Sequence, residues 1–138
     1  MLPESIKDII EVARVIAGAV GNFLSYRKER REEVADYFEK IATTLSSCTK
    51  DFHKGVTQDE LVVFCGQLQA FAEQLPDAIG DVVGEGKAQE LKRKLSGVNQ
   101  GKLHMLEGNS PEALHHLSAL SKAAGYFSAS AESLRAAP

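Results

Sequence analysis

The sequence contains no tryptophan, only two cysteines and only four prolines among its 138 residues. Aromatic residues make up 7% of the chain, so the core must consist mainly of Leu, Val, Ile, Ala and Phe. Two cysteines, Cys48 and Cys65, are too few for a disulfide scaffold and predict buried thiols in a reducing compartment. Because the prolines are widely spaced, long stretches remain in which no proline interrupts a helix.

The charge and the N-terminal segment argue against a nucleic-acid-binding, a secreted or a membrane-spanning protein. The formal net charge is −3 and no basic stripe is interleaved with aromatic residues, so we expect no nucleic-acid partner. The start of the sequence, MLPESIKD, lacks the basic region that opens a signal peptide. The apolar stretch at residues 9–24 contains Glu11 and Arg14 and is too short for a comfortable membrane span. We therefore predict a cytoplasmic protein.

Hydrophobic residues make up 43% of the chain and recur at steps of three and four, which is the spacing of one helical face. No segment shows the alternation of a strand. The sequence therefore predicts an all-α fold, in which residues 1–138 form a single domain, a bundle of four or five antiparallel helices. The residues predicted at the centre of its core are Leu45, Leu68, Leu95, Leu120 and Phe127.

Residues typical of helix ends mark several boundaries. Gly55 is a predicted C-cap, and Thr57 with Glu60 forms a capping-box pattern that starts the next helix. Pro76 predicts that this helix ends or kinks, so that residues 77–86 form either a short helical extension or a turn. Helical spacing resumes over residues 87–106.

The connection at residues 25–31 allows two interpretations, because nothing there breaks a helix by propensity. One continuous helix from the first stripe through the second would be roughly 70 Å long at about 1.5 Å per residue, far longer than a compact domain. It would also place Arg27 and Arg31 in a buried seam, which is costly unless both are paired. We therefore predict a turn.

A basic cluster follows the first apolar helix and is a candidate docking surface for a partner protein or for anionic lipid. Together with the aromatic residues that precede it, this surface comprises Phe23, Tyr26, Arg27, Lys28, Arg30 and Arg31. The alternative is a solvated helix end whose basic side chains pair with Glu32 and Glu33.

Small residues recur every four positions in the first helix, at Ala13, Ala17 and Gly21. Such a close-packing face allows another backbone to approach closely. It serves either core packing within the bundle or self-association.

No pattern of catalytic or metal-ligating residues stands out. Glu112 and His115 form one E-x-x-H pair, whereas a di-iron bundle needs two such pairs and two further glutamates. His115 and His116 are adjacent, so their side chains diverge by about 100° on a helix and cannot chelate one metal together. The glycines lack the pattern of a phosphate-binding loop. We therefore predict no enzyme activity, no metal, no cofactor and no small-molecule substrate.

An apolar first helix, IIEVARVIAGAVGNFL, is followed by a basic connection, YRKERR, a second helix, VADYFEKIATTL, and further helices that end in LSALSKAAGYFSASAESL. This layout resembles the small N-terminal helical bundles of cell-death and immune proteins. Among these are HeLo-type domains, the executioner bundle of the mixed lineage kinase domain-like protein, and coiled-coil domains of plant resistance proteins. The resemblance implies homotypic or partner recruitment, or membrane association through the first helix, rather than catalysis.

The function predicted from the sequence is a noncatalytic protein-interaction module that binds a partner protein or associates with itself. The alternative is a membrane-associating bundle that engages anionic lipid through the first helix and the basic cluster.

Overall fold

Helices account for nearly all of the secondary structure in the computed structural model, which describes residues 3–52, 57–98, 103, 106 and 111–138. Within these residues there is no strand, and the predicted all-α bundle is confirmed. The elements are α1 (Glu4–Ala19), a 3₁₀ helix (Val20–Ser25), α2 (Lys28–Phe52), α3 (Gln58–Val83), α4 (Glu85–Ser96) and α5 (Pro111–Ala136).

The helices pack in a ring in which α1 contacts α5, α5 contacts α2, α2 contacts α3, and α3 contacts α4. Arg135, near the end of α5, bonds to Asp36 at 2.6 Å and Glu39 at 2.7 Å near the start of α2, so these two helices are antiparallel. Glu73 of α3 pairs with Lys92 of α4 at 3.4 Å. The α2–α5 contact is extensive, whereas α2 and α3 meet over a much smaller area.

The ring closes between α1 and α4. Lys94 Nζ donates a hydrogen bond to the Glu11 carboxylate across this contact. The hydrogen bond and the positive charge of Lys94 lower the pKa of the Glu11 carboxyl below its ordinary value.

One apolar core fills the ring. The five residues predicted at its centre are all 0% exposed, which confirms this part of the helical pattern. The aromatic rings of the core are linked through Phe38, whose ring centroid lies 6.0 Å from that of Phe23 and 6.3 Å from that of Phe127. Cys48 and Cys65 are buried and are not joined by a disulfide, as predicted.

The predicted turn between the first two helices is confirmed. Tyr26 has an extended backbone (φ −71°, ψ 153°), and its N–H donates to the Phe23 carbonyl. The chain leaves the α-helical conformation after Ala19 and continues as a 3₁₀ helix, in which residues about three positions apart share a face. Val20 is therefore aligned with Phe23, which enters the core, whereas Leu24 is 48% exposed. Leu24, the last residue of the apolar stretch at residues 9–24, therefore lies outside the core.

The capping box at the start of α3 is confirmed. The Thr57 hydroxyl oxygen accepts from the Glu60 N–H at 3.2 Å, and the Thr57 N–H donates to the Glu60 carboxylate at 3.1 Å. The predicted C-cap Gly55 lies outside the described residues.

Pro76 lies inside α3, which continues to Val83, so residues 77–83 form the helical extension rather than the turn. Leu75 and Ile79 are both 0% exposed, so the extension buries apolar side chains of its own. The helix ends at Gly84, whose φ of +92° lies in the region that favours glycine.

The helix predicted over residues 87–106 is shorter in the structure. It begins at Glu85 and ends at Ser96, where the Gly97 N–H donates to the Arg93 carbonyl. Leu103 and Leu106 still contribute to the core, and both are 0% exposed. The other residues between 99 and 110 lie outside the described part of the chain.

Candidate functional site

The basic surface predicted from the sequence is divided by the fold. Phe23 is 0% exposed and packs edge-on against Tyr26, with ring centroids 5.5 Å apart. Arg31 is 5% exposed. The prediction that Phe23 and Arg31 belong to an exposed docking surface was therefore wrong.

Arg31 is buried because it lies one helical turn before Val34 and Ala35, on the face of α2 that points into the core. One of its guanidinium nitrogens donates to the Pro138 carbonyl at 2.9 Å. The Arg31 side chain therefore connects the start of α2 to the end of the described chain.

Arg30 is also engaged within the molecule. It donates to the Asp77 carbonyl of α3 at 2.5 Å, and its guanidinium carbon lies 5.7 Å from the centre of the Tyr26 ring. It also pairs with Glu33 at 3.7 Å. Tyr26 and Arg30 are half-buried, so Arg27 and Lys28 are the members of the predicted surface that are exposed.

The predicted close-packing face is not continuous. Ala13 is buried and Ala17 is half-buried, but Gly21 is exposed, and a Cβ atom built there would meet nothing within 4 Å. The four-residue spacing loses its alignment because Gly21 belongs to the 3₁₀ helix. Gly21 therefore does not pack in the core of the bundle, and a role of this residue in self-association stays a prediction.

The two adjacent histidines diverge as expected: His115 is exposed and His116 is 2% exposed. Within the described residues, no group of three or more His, Cys, Asp and Glu side chains is placed to hold a metal ion. Nor is any helix of the described chain long and apolar enough to cross a bilayer.

The contact between α2 and α3 is much smaller than that between α2 and α5, and a groove lies between α2 and α3. At one end these antiparallel helices are tied together, because the Tyr37 hydroxyl donates to the Phe71 carbonyl at 2.5 Å and Arg30 reaches Asp77. Burial raises the pKa of Tyr37 well above its ordinary value, so its hydroxyl remains protonated and able to donate. Towards the other end the two helices leave a gap.

This gap is a groove of about 470 Å³, which we call the α2–α3 groove. Its apolar surface includes Val63, which is 62% exposed, and the ring of Phe64, which is 3% exposed. The residues that line it are Thr43, Thr44, Ser47, Cys48, Asp59, Glu60, Val63, Phe64 and Gln67.

Among the described residues that line the groove, the charged side chains are acidic. Asp59 and Glu60, in the first turn of α3, are the charged residues among the described lining, and none of that lining is basic. The capping box holds the Glu60 carboxylate near the start of the helix. The groove therefore combines an apolar wall with an acidic end.

A low ridge on α2 runs beside the groove. We call it the α2 ridge, and it consists of the exposed residues Thr43, Ser46, Ser47 and Lys50. On its far side, a second groove of about 440 Å³ separates α2 from α5 and includes Leu114, which is 37% exposed. Because serine and threonine side chains are short, another helix can approach this ridge closely.

Neither the groove nor the ridge was identified from the sequence. The available signal was Val63, an apolar residue beside the buried stripe of Leu61, Phe64 and Leu68. Scattered exposed valines are ordinary on protein surfaces, and only the gap between α2 and α3 distinguishes this one.

No family model matches the chain, and neither curated proteins nor solved structures provided a similar protein.

Proposed function

We propose that this protein is a noncatalytic, cytoplasmic helical-bundle module that binds another protein helix in the α2–α3 groove. The observation that carries the proposal is the exposure of Val63 beside an open groove between two helices. The occupant that fits is one amphipathic helix with small side chains along its contact face and basic side chains at one end.

The apolar part of the groove favours a helix over an extended peptide. The groove follows two helices, and no exposed sheet edge exists in the described residues to pair with an added strand. Full burial of a valine side chain stabilises by roughly 1.5–3 kcal/mol, so covering Val63 contributes usefully to binding.

The acidic end of the groove favours an occupant that has a basic end. Asp59 and Glu60 attract a basic end and repel an acidic one, an arrangement that contributes more to specificity and association rate than to affinity. The buried thiols Cys48 and Cys65, which form no disulfide, support a reducing compartment such as the cytoplasm.

The groove can be tested with a fluorescent, synthetic amphipathic helix that has an alanine and leucine contact face and lysines at one end. We expect fluorescence anisotropy to show saturable binding, and we expect a matched peptide with glutamates in place of the lysines to bind less. Val63→Lys should weaken binding on the order of tenfold or more, because it replaces the exposed apolar contact by a like charge.

Val62→Lys is the matched control, since Val62 is 46% exposed in the same helical turn but does not line the groove. It makes the same chemical change and should leave binding nearly unaltered. Equal losses in the two variants, or equal binding of the basic and acidic peptides, would contradict the proposed site.

A second candidate function is docking on anionic membrane, and one observation favours it. Leu24 is 48% exposed close to the exposed Arg27 and Lys28, at the corner between the 3₁₀ helix and α2. An apolar side chain beside basic residues is the pattern of an interfacial anchor, although this anchor contains fewer residues than the sequence predicted. The recruitment implied by the resemblance to cell-death and immune bundles stays a prediction.

A further inference from the structure

We propose that the helix bound in the α2–α3 groove is α2 of a second copy of this chain, and that the two copies dock reciprocally. The α2 ridge of each copy then lies in the α2–α3 groove of the other. The inference rests on the proposed function, since it assigns an occupant to the same groove.

The ridge and the groove are neighbours on one face of the molecule, because Thr43 and Ser47 belong to both. A two-fold axis parallel to α2, passing between ridge and groove, places each ridge over the opposite groove in one operation. The interface is then isologous, with the same patch used by both copies, which is the commonest arrangement in homo-oligomers.

The size of the ridge side chains also suits this docking. The ridge presents Thr43, Ser46 and Ser47 towards the opposite groove, and no long side chain stands between them. Small residues allow two helices to approach closely, and the partly exposed Val63 then contacts the backbone and methyl groups of the second copy.

The ridge and the groove are also complementary in charge, and this follows from the register of α2 and α3. Within one copy, Arg30 lies opposite Asp77, and Tyr37 lies opposite Phe71. Continuing this antiparallel register to the end of α2 places Lys50 at the level of Asp59.

A two-fold axis parallel to α2 leaves the level of every residue along the helix unchanged. Lys50 of each copy is therefore brought to the acidic end of the other groove, formed by Asp59 and Glu60. The ridge supplies the basic end and the short side chains that the groove selects. The same pair of opposite charges occurs twice in the dimer.

The experiment reverses single charges on the ridge and in the groove. Sedimentation velocity over a range of concentrations then measures how strongly each variant dimerises. We expect the unmodified protein to form dimers at high concentration. Lys50→Glu should weaken dimerisation on the order of tenfold or more, and Asp59→Lys should do the same, because each variant places like charges together twice. Lys122→Glu and Glu132→Lys make the same charge changes at exposed positions of α5 and should dimerise normally.

Mixing the two variants tests reciprocity directly. In a mixed dimer, Glu at position 50 of one copy faces Lys at position 59 of the other, and the second pair remains native. An equimolar mixture should therefore recover dimers that neither variant forms alone. Circular dichroism spectra that match the unmodified protein confirm that both variants are folded.

The outcomes separate this inference from the function on which it rests. If the unmodified protein stays monomeric at high concentration while the basic helical peptide still binds and Val63→Lys abolishes that binding, the second copy is excluded and the interaction module stands. Dimers that persist in both charge variants, or a mixture that fails to recover them, would overturn the reciprocal docking. Loss of peptide binding and dimerisation together would contradict both proposals.

Discussion

At the scale of single residues, the neighbours Phe23 and Leu24 show how local geometry decides burial. Both are large and apolar, and a continuous α-helical stripe selects Leu24 for the core. The 3₁₀ helix changes the rotation per residue, so Phe23 enters the core and contacts Phe38 and Tyr26. A change of about 20° per residue is enough to exchange the two positions.

Phe23→Ala should therefore be far more damaging than Leu24→Ala. Removing a fully buried phenylalanine costs about 3–5 kcal/mol, from lost apolar burial and the cavity that remains. Leu24 is 48% exposed, so its truncation should cost much less. Chemical denaturation of both variants measures the difference, and similar losses of unfolding free energy would show that the turn is wrongly placed.

Arg31 shows a second effect at the same scale. A buried guanidinium is costly when it is unpaired, which is the reason the sequence favoured a turn over a continuous helix. The turn is present, yet Arg31 is still buried, because the start of α2 already lies against the core. Its hydrogen bond to the Pro138 carbonyl offsets part of the desolvation cost.

At the scale of helices, the start of α3 follows from its sequence more directly than its continuation through Pro76 does. Thr57 and Glu60 satisfy N–H groups that the first turn cannot satisfy itself, so the capping box is a local device. Pro76 is different, since it removes one helical hydrogen bond but does not end the helix. Burial of Leu75 and Ile79 on either side favours continuation of the helix.

Thr57→Ala should destabilise the fold by about 1 kcal/mol, because it removes the hydroxyl that accepts from the Glu60 N–H. Ser133→Ala, at an exposed position inside α5, is the control and should change stability little, since alanine is the better helix former. Thermal unfolding followed by circular dichroism distinguishes them. An unchanged melting temperature for Thr57→Ala would show that the capping box contributes nothing to stability.

At the scale of the whole molecule, hydrogen bonds and ion pairs of the described residues tie the first part of α2 to its neighbours. Arg30 reaches α3, Arg31 reaches Pro138, and Arg135 of α5 reaches Asp36 and Glu39. The α2–α3 groove lies towards the opposite end of α2. Arg30 and Arg31, two of the four basic residues that the sequence marked as a binding surface, thus help to hold the bundle together.

Because Arg30 and Arg31 are engaged within the bundle, we predict that the protein binds membranes weakly. Arg27 and Lys28 are the exposed members of the basic cluster, and each contributes about 1 kcal/mol to attraction towards anionic lipid. We expect the protein not to float with vesicles of phosphatidylserine and phosphatidylcholine at about 0.15 M salt, where the Debye length is about 8 Å.

The test variant for flotation is the double substitution Arg27→Gln with Lys28→Gln. Its control is Arg93→Gln with Lys122→Gln, which removes two positive charges at exposed positions of other helices. Salt-sensitive flotation of the unmodified protein that is lost only in the first pair would favour the membrane function over the interaction module.

The sequence by itself determined the helical class, the central core residues, the turn before α2 and the capping box of α3. Each of these depends on residues close together in the chain, such as Thr57 with Glu60, or on a periodicity repeated over many residues, as around Leu68 and Leu120.

Only the tertiary structure decided which residues form the surface. Whether Arg30 and Arg31 are exposed depends on Asp77 and Pro138, which are distant in sequence. Whether Val63 faces solvent or another helix depends on how far α2 and α3 separate beyond the Tyr37–Phe71 hydrogen bond. Helical periodicity identifies which face of a helix is apolar, but the separation of two helices results from packing across the whole ring.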